Sequence, residues 1–106
     1  MEKELIKTIN EVINELKIRE GESSHFIFKL EDGSEGVVTY IDVELDGEGT
    51  SIVEGLYVKD NKVFALINGE TGDIAYSEQT ELVQKTILNG LKYALNVITN
   101  EPLPLC

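Results

Sequence analysis

Two stretches of the chain repeat their apolar residues at helical spacing, and the stretch between them repeats at a period of two. Over residues 2–19, Leu5, Ile9, Val12 and Leu16 advance by alternate steps of four and three, and Ile6 and Ile13 widen the stripe. Glu2, Lys3, Lys7, Glu11, Glu15 and Lys17 occupy the other face, and Glu15 stands four residues before Arg19, the favourable order for a helical ion pair. Gly21 follows as a candidate left-handed C-cap. This spacing predicts a helix over 2–19. Toward the other end, Val83, Ile87, Leu91, Ala94 and Ile98 form one stripe, broadened by Leu88 and Leu95. They predict a second helix over 78–99, with Ser77 as its cap. Gly90 lies inside it, at a cost of about 1 kcal/mol relative to alanine, and borders the apolar stripe, where a close approach of helix to sheet would use it. Pro102 and Pro104 end the helical pattern and leave a tail over 100–106.

Between the helices the alternation is that of strands. Phe26, Phe28 and Leu30 alternate with Ile27 and Lys29; Val37, Thr39, Ile41, Val43 and Leu45 share a second row; Ile52–Val58, Val63–Ile67 and Ile74–Tyr76 complete the series. Asp32-Gly33, Asp46–Gly49, Asp60-Asn61 and Asn68–Gly72 punctuate it as turns. Connections this short join antiparallel neighbours, because a parallel pair needs a crossover of a dozen or more residues. The expectation is a single α+β domain over 1–106: an antiparallel meander sheet of four to five strands over 25–76, flanked by an N-terminal and a C-terminal helix. Residues 63–67 are apolar on both faces, so that strand needs cover on both sides. Either the helices take opposite faces, or they share one and a second copy of the chain covers the other as a homodimer.

Charge changes the picture. The chain of 106 residues carries 20 acidic and 9 basic residues, a formal net charge of −11. Such a charge excludes unaided binding to nucleic-acid phosphate and argues against docking on anionic lipid. The excess is concentrated. Residues 20–60 hold 11 acidic residues against Lys29 and Lys59, and between residues 30 and 58 there is no base at all. That interval contains Glu31, Asp32, Glu35, Asp42, Glu44, Asp46, Glu48 and Glu54. In a strand Asp42, Glu44 and Asp46 share one face, about 6.6–6.8 Å apart, and with the acidic turns they would form a carboxylate strip without counter-ions. A solvated face of an acidic protein has the same pattern. The sharper expectation is a docking surface for a basic partner protein, with association accelerated by charge and sensitive to salt.

Other chemistry is thin. Asp42-x-Glu44-x-Asp46-Gly47-Glu48 imitates the start of a calcium loop, but Gly49 and Val53 stand at the eighth and twelfth positions and the flanks read as strands. His25, the only histidine, follows Ser23-Ser24, and neighbours in a strand point to opposite faces. One histidine and the single Cys106 cannot supply a zinc site or an intrachain disulfide. Gly47-x-Gly49 and Gly69-x-x-Gly72 lack the lysine and the helix of a phosphate loop. No catalytic residue, cofactor or metal is expected. With no signal-like or membrane-spanning apolar run, the expected location is the cytoplasm.

The functional expectation is therefore a non-enzymatic acidic interaction module. It would act through Asp42, Glu44, Asp46 and Glu48, supported by Glu31, Asp32, Glu35 and Glu54. Its specific form would be a phage or mobile-element inhibitor that mimics nucleic-acid phosphates to a nucleic-acid-handling enzyme, an analogy of charge and size. The alternative is a homodimer that binds and sequesters a small ligand between sheet and helix, with Tyr40 or Tyr57 holding it.

Overall fold

The computed structural model of the chain describes residues 2–21, 23–45, 49–67 and 73–100. Helix α1 (Glu2–Glu20) leads into strands β1 (Ile27–Lys29), β2 (Glu35–Leu45), β3 (Gly49–Lys59), β4 (Lys62–Ile67) and β5 (Asp73–Ala75), and helix α2 (Glu81–Asn100) closes the fold after a single 3-10 turn. The five strands form one antiparallel sheet in chain order. The meander and its two helices are thus as the periodicity predicts.

Both helices pack on the same face of the sheet and against each other. Leu5, Ile9, Val12 and Leu16 of α1 and Val83, Ile87, Leu88 and Leu91 of α2 meet Val37, Val43, Val53, Leu56, Val63, Ala65 and Ile67 in one core. Of the two arrangements open to a strand that is apolar on both sides, the chain takes the one that leaves a sheet face uncovered by helices.

Local chemistry explains most of the boundaries. Gly21 adopts φ 78° and its N–H donates to the Lys17 carbonyl at 2.9 Å, which ends α1 in the left-handed cap. Asp60 and Asn61 both have positive φ, 53° and 62°, and form the two-residue turn that pairs Lys59 with Lys62. The cap of α2 is a correction: the Thr80 hydroxyl, not Ser77, accepts from the backbone N–H of Val83 at 3.3 Å. Ser77 sits in the preceding 3-10 turn, and the helix starts at Glu81 rather than 78. The expected turn over 68–72 and the tail over 101–106, including Cys106, lie outside the described residues.

In β2 the row Val37, Thr39, Ile41, Val43 keeps to the helix side, but the pairing with β3 is irregular within it and jumps from Val38↔Gly55 to Ile41↔Val53. Two residues, Thr39 and Tyr40, bulge out opposite Glu54, which is itself an extra residue between Val53 and Gly55 against β4. The bulges add across the sheet, two extra residues in β2 and one in β3 relative to β4, so alternation is kept along β2 and Val37, Ile41 and Val43 all face the helices. Thr39 donates its hydroxyl to the Val53 carbonyl at 2.7 Å, and Tyr40 is held at φ 50°.

Candidate functional site

Strand alternation places Asp42 and Glu44 together, exposed, on the helix-free face of β2, paired across to Ile52 and Thr50 of β3. Neither carboxylate has an ion pair among the described residues. Asp46 and Glu48 lie outside the described residues.

The other expected carboxylates are elsewhere. Glu35 begins β2, nine residues from Glu44, which at strand rise is roughly 25–30 Å away. Its side chain faces the helices and accepts from Lys17 of α1 at 3.0 Å. Asp32 accepts from the Ser34 backbone N–H at 2.9 Å and pairs with Lys59 at 3.3 Å. The hydrogen bonds from Ser34, then Lys59, hold its carboxyl below the usual range. Glu31 is exposed in the same turn, and Glu54 is exposed at the β3 bulge. The expected strip without counter-ions is therefore divided. A cluster at the β1–β2 turn has lysines drawn over Asp32 and Glu35, and the pair Asp42 and Glu44 has none. The sequence could not show this, because Lys17 is brought to Glu35 by tertiary packing alone.

A shallow groove runs between the acidic pair and the start of α2, bordered by Leu82, Val83 and Thr86. Leu82 is 67% exposed there. Carboxylates beside an exposed leucine suit a lysine side chain, whose stem is apolar and whose head is charged.

A second concavity is an apolar cleft of about 250 Å³ between the helices and the β2 bulge. Val12 and Leu16 form its α1 wall, and Gly90, Ala94 and Ile98 its α2 wall. Phe26, Thr39 and Tyr40 close the sheet side. The bulge makes this cleft: it carries Tyr40 out of the pleat, and β1 is too short to pair beyond Val37, although the Val38 N–H still reaches the Phe26 carbonyl at 2.9 Å. At one end α2 touches the sheet closely, since a Cβ on Gly90 would stand 2.9 Å from Ile41 Cδ1. That confirms the close approach expected of this glycine. Farther along, the apolar stripe of α2 continues through Ala94 and Ile98, but these are only half-buried, because the space they face is the cleft. Phe26 and Tyr40, 39% and 69% exposed, stand at its mouth.

Nucleophile chemistry is not assembled at His25. The Ser24 hydroxyl donates to Glu20 at 2.6 Å and accepts from the Phe26 N–H at 3.2 Å, which fixes the turn after α1, while the His25 ring lies against Phe26. No group of three or more potential metal ligands occurs among the described residues. No described helix is long and apolar enough to cross a membrane. Searches against protein-family models, curated proteins and solved structures find no match to the chain.

Proposed function

We propose that the chain is a non-enzymatic binding protein whose site is the apolar cleft between sheet and helices. The observation that carries this reading is the pair of exposed aromatic rings, Phe26 and Tyr40, at the mouth of a space walled by the unburied end of the α2 stripe. An engineered apolar cavity of about 150 Å³ admits benzene, so about 250 Å³ suits a molecule somewhat larger, a bicyclic ring or a short alkyl chain. The Thr39 hydroxyl is committed to Val53, which leaves the Tyr40 phenol as the polar group at the rim. The ligand class is thus largely apolar with one hydrogen-bonding end. Indole and 1-octanol, titrated into the protein and followed by amide NMR, should shift the resonances of Thr39, Tyr40 and Ala94 saturably. Ala94→Phe should abolish the shifts while the circular dichroism stays native. Saturable binding that survives Ala94→Phe would place the ligand elsewhere.

A second reading is favoured by the unpaired Asp42 and Glu44 beside Leu82: capture of a basic partner protein. A phosphate mimic would present an unbroken carboxylate row, and the division of the row keeps this reading at the level of an acidic patch for a basic partner. A lysine-rich peptide should bind with marked salt dependence, and Asp42→Lys with Glu44→Lys should remove that binding.

A further inference from the structure

The face of the sheet turned away from the helices is apolar at its centre and oppositely charged at its two ends. Phe28, Val38, Ile52, Tyr57, Phe64 and Leu66 occupy the middle by alternation. Five of them are half-buried although no described helix covers them, and Tyr57 is sealed between Phe28, edge-on at 6.4 Å, and Phe64, stacked at 5.4 Å. At the β2–β3 end the same face carries Asp42 and Glu44. At the β3–β4 end it carries Lys59, which is held by Asp32 at 3.3 Å, and Lys62, directly opposite it across the turn. Lys62 has no ion pair among the described residues.

We propose that this face is a two-fold interface with a second copy of the chain. Face-to-face copies can be related by an axis along the strands or across them. An axis along the strands would set acid against acid and lysine against lysine. An in-plane axis perpendicular to the line from Asp42 on β2 to Lys62 on β4, that is, across the strands with a tilt, reverses one sheet end for end and brings Asp42 and Glu44 of each copy against Lys62 of the other. The charges select the second arrangement, with the axis near Gly55, where the Phe28 ring lies. Sheets packed this way interdigitate their side chains at a spacing of about 10 Å. The five strands hold 34 residues, which at about 3.4 Å per residue and about 4.8 Å between strands give a face of roughly 550 Å², so two faces bury roughly 1,100 Å², just above the roughly 1,000 Å² that marks a specific interface. The cleft opens on the other side of the sheet, and of the six apolar residues named on this face only Val38, at the bulge, also borders it. For the acidic pair it supplies a basic partner: the chain itself.

Sedimentation velocity on the full chain at physiological salt tests it. The expected mass is twice the 11.8 kDa of one chain. Phe64→Glu should give a monomer with native circular dichroism, and indole binding should persist in it, which separates this proposal from the cleft. Lys62→Glu should weaken the dimer about tenfold, and Asp42→Lys in that background should restore most of the loss. A monomeric wild type, or a dimer indifferent to Phe64→Glu, overturns the interface. Failure of Asp42→Lys to rescue Lys62→Glu overturns the end-for-end arrangement.

Discussion

The Phe28 ring lies flat across its cross-strand partner Gly36 and reaches the next strand at Gly55. A Cβ on Gly36 would clash with Cζ and Cε2 of that ring and stand 2.7 Å from the Leu56 carbonyl oxygen; one on Gly55 would stand 2.8 Å from the ring and 3.2 Å from the Val37 carbonyl oxygen. The two glycines thus make a flat bed on which an aromatic side chain shields the open face. Gly36→Ala should therefore destabilise the fold by about 2–3 kcal/mol, the scale of overpacking at a site with no room to yield. In the Phe28→Ala background the same change should cost less, though not nothing, since the Leu56 carbonyl remains. Urea unfolding of the four chains in this cycle measures the coupling; a strictly additive result would deny the contact.

Tyr76 is 1% exposed, and its hydroxyl donates to the Gln84 carbonyl at 3.0 Å. Burial, and then the carboxylates of Glu2 and Glu4, push its pKa up to about 12 from 10. The folded chain therefore holds this proton more tightly than the unfolded one. The stability linked to it is complete below pH 10 and is lost as pH rises from 10 through 12. Unfolding free energy should fall across that window, and Tyr76→Phe should flatten the fall. The variant should also be about 1 kcal/mol less stable at neutral pH, from the hydrogen bond removed.

Two non-glycine residues with positive φ offer stabilising changes. Tyr40, at φ 50° and largely exposed, has little packing to lose and an unfavourable backbone to relieve. Tyr40→Gly should leave thermal stability unchanged or raise it, by up to about 1 kcal/mol, while weakening indole binding at the cleft mouth. Asn61→Gly should raise stability by about 0.5 kcal/mol, because glycine suits the second position of this hairpin turn. A lower melting temperature in the Asn61 variant would contradict the turn geometry.

At Gly90 two effects oppose each other. Alanine gains about 1 kcal/mol of helix propensity, yet its Cβ would press on Ile41 Cδ1 at 2.9 Å. Gly90→Ala alone should be close to neutral. With Ile41→Val, which removes the Cδ1 atom, the same change should stabilise by about 0.5–1 kcal/mol relative to Ile41→Val alone. Thermal unfolding of the double and single variants decides it.

Local rules carried the elements a long way. The helix stripes, Gly21 as a cap, Asp60-Asn61 as a turn and the order of strands all follow from spacing and backbone preference, because each depends on neighbours close in the chain. What escaped depends on distant neighbours. The bulge at Thr39 and Tyr40 is defined by the pairing with β3, which has its own irregularity at Glu54, and neither strand announces it. Thr80 and Ser77 are equal as caps by residue type; Gln84 tips the balance by folding its amide back to the carbonyls of Tyr76 and Gln79. Asp42 and Glu44 were placed on their shared outer face by alternation alone. The lysines that reach Asp32 and Glu35 come from β3 and α1, so the divided charge of the acidic region was not legible. A site between sheet and helix using Tyr40 was open as an alternative, but the origin of the cleft was not legible, because it arises where a continuous apolar stripe on α2 meets a discontinuous strand.

Because β1 is three residues long, β2 runs on from Val38 to Leu45 as a sheet border with no strand beyond it among the described residues. A flat, apolar border of that length invites other chains to add on in register and polymerise. Here a kink at Tyr40 spoils the straight template, and Asp42 and Glu44 follow it with like charge that a stacked neighbour would have to match. The kink and the charges that follow it thus also make this border a poor template for added strands.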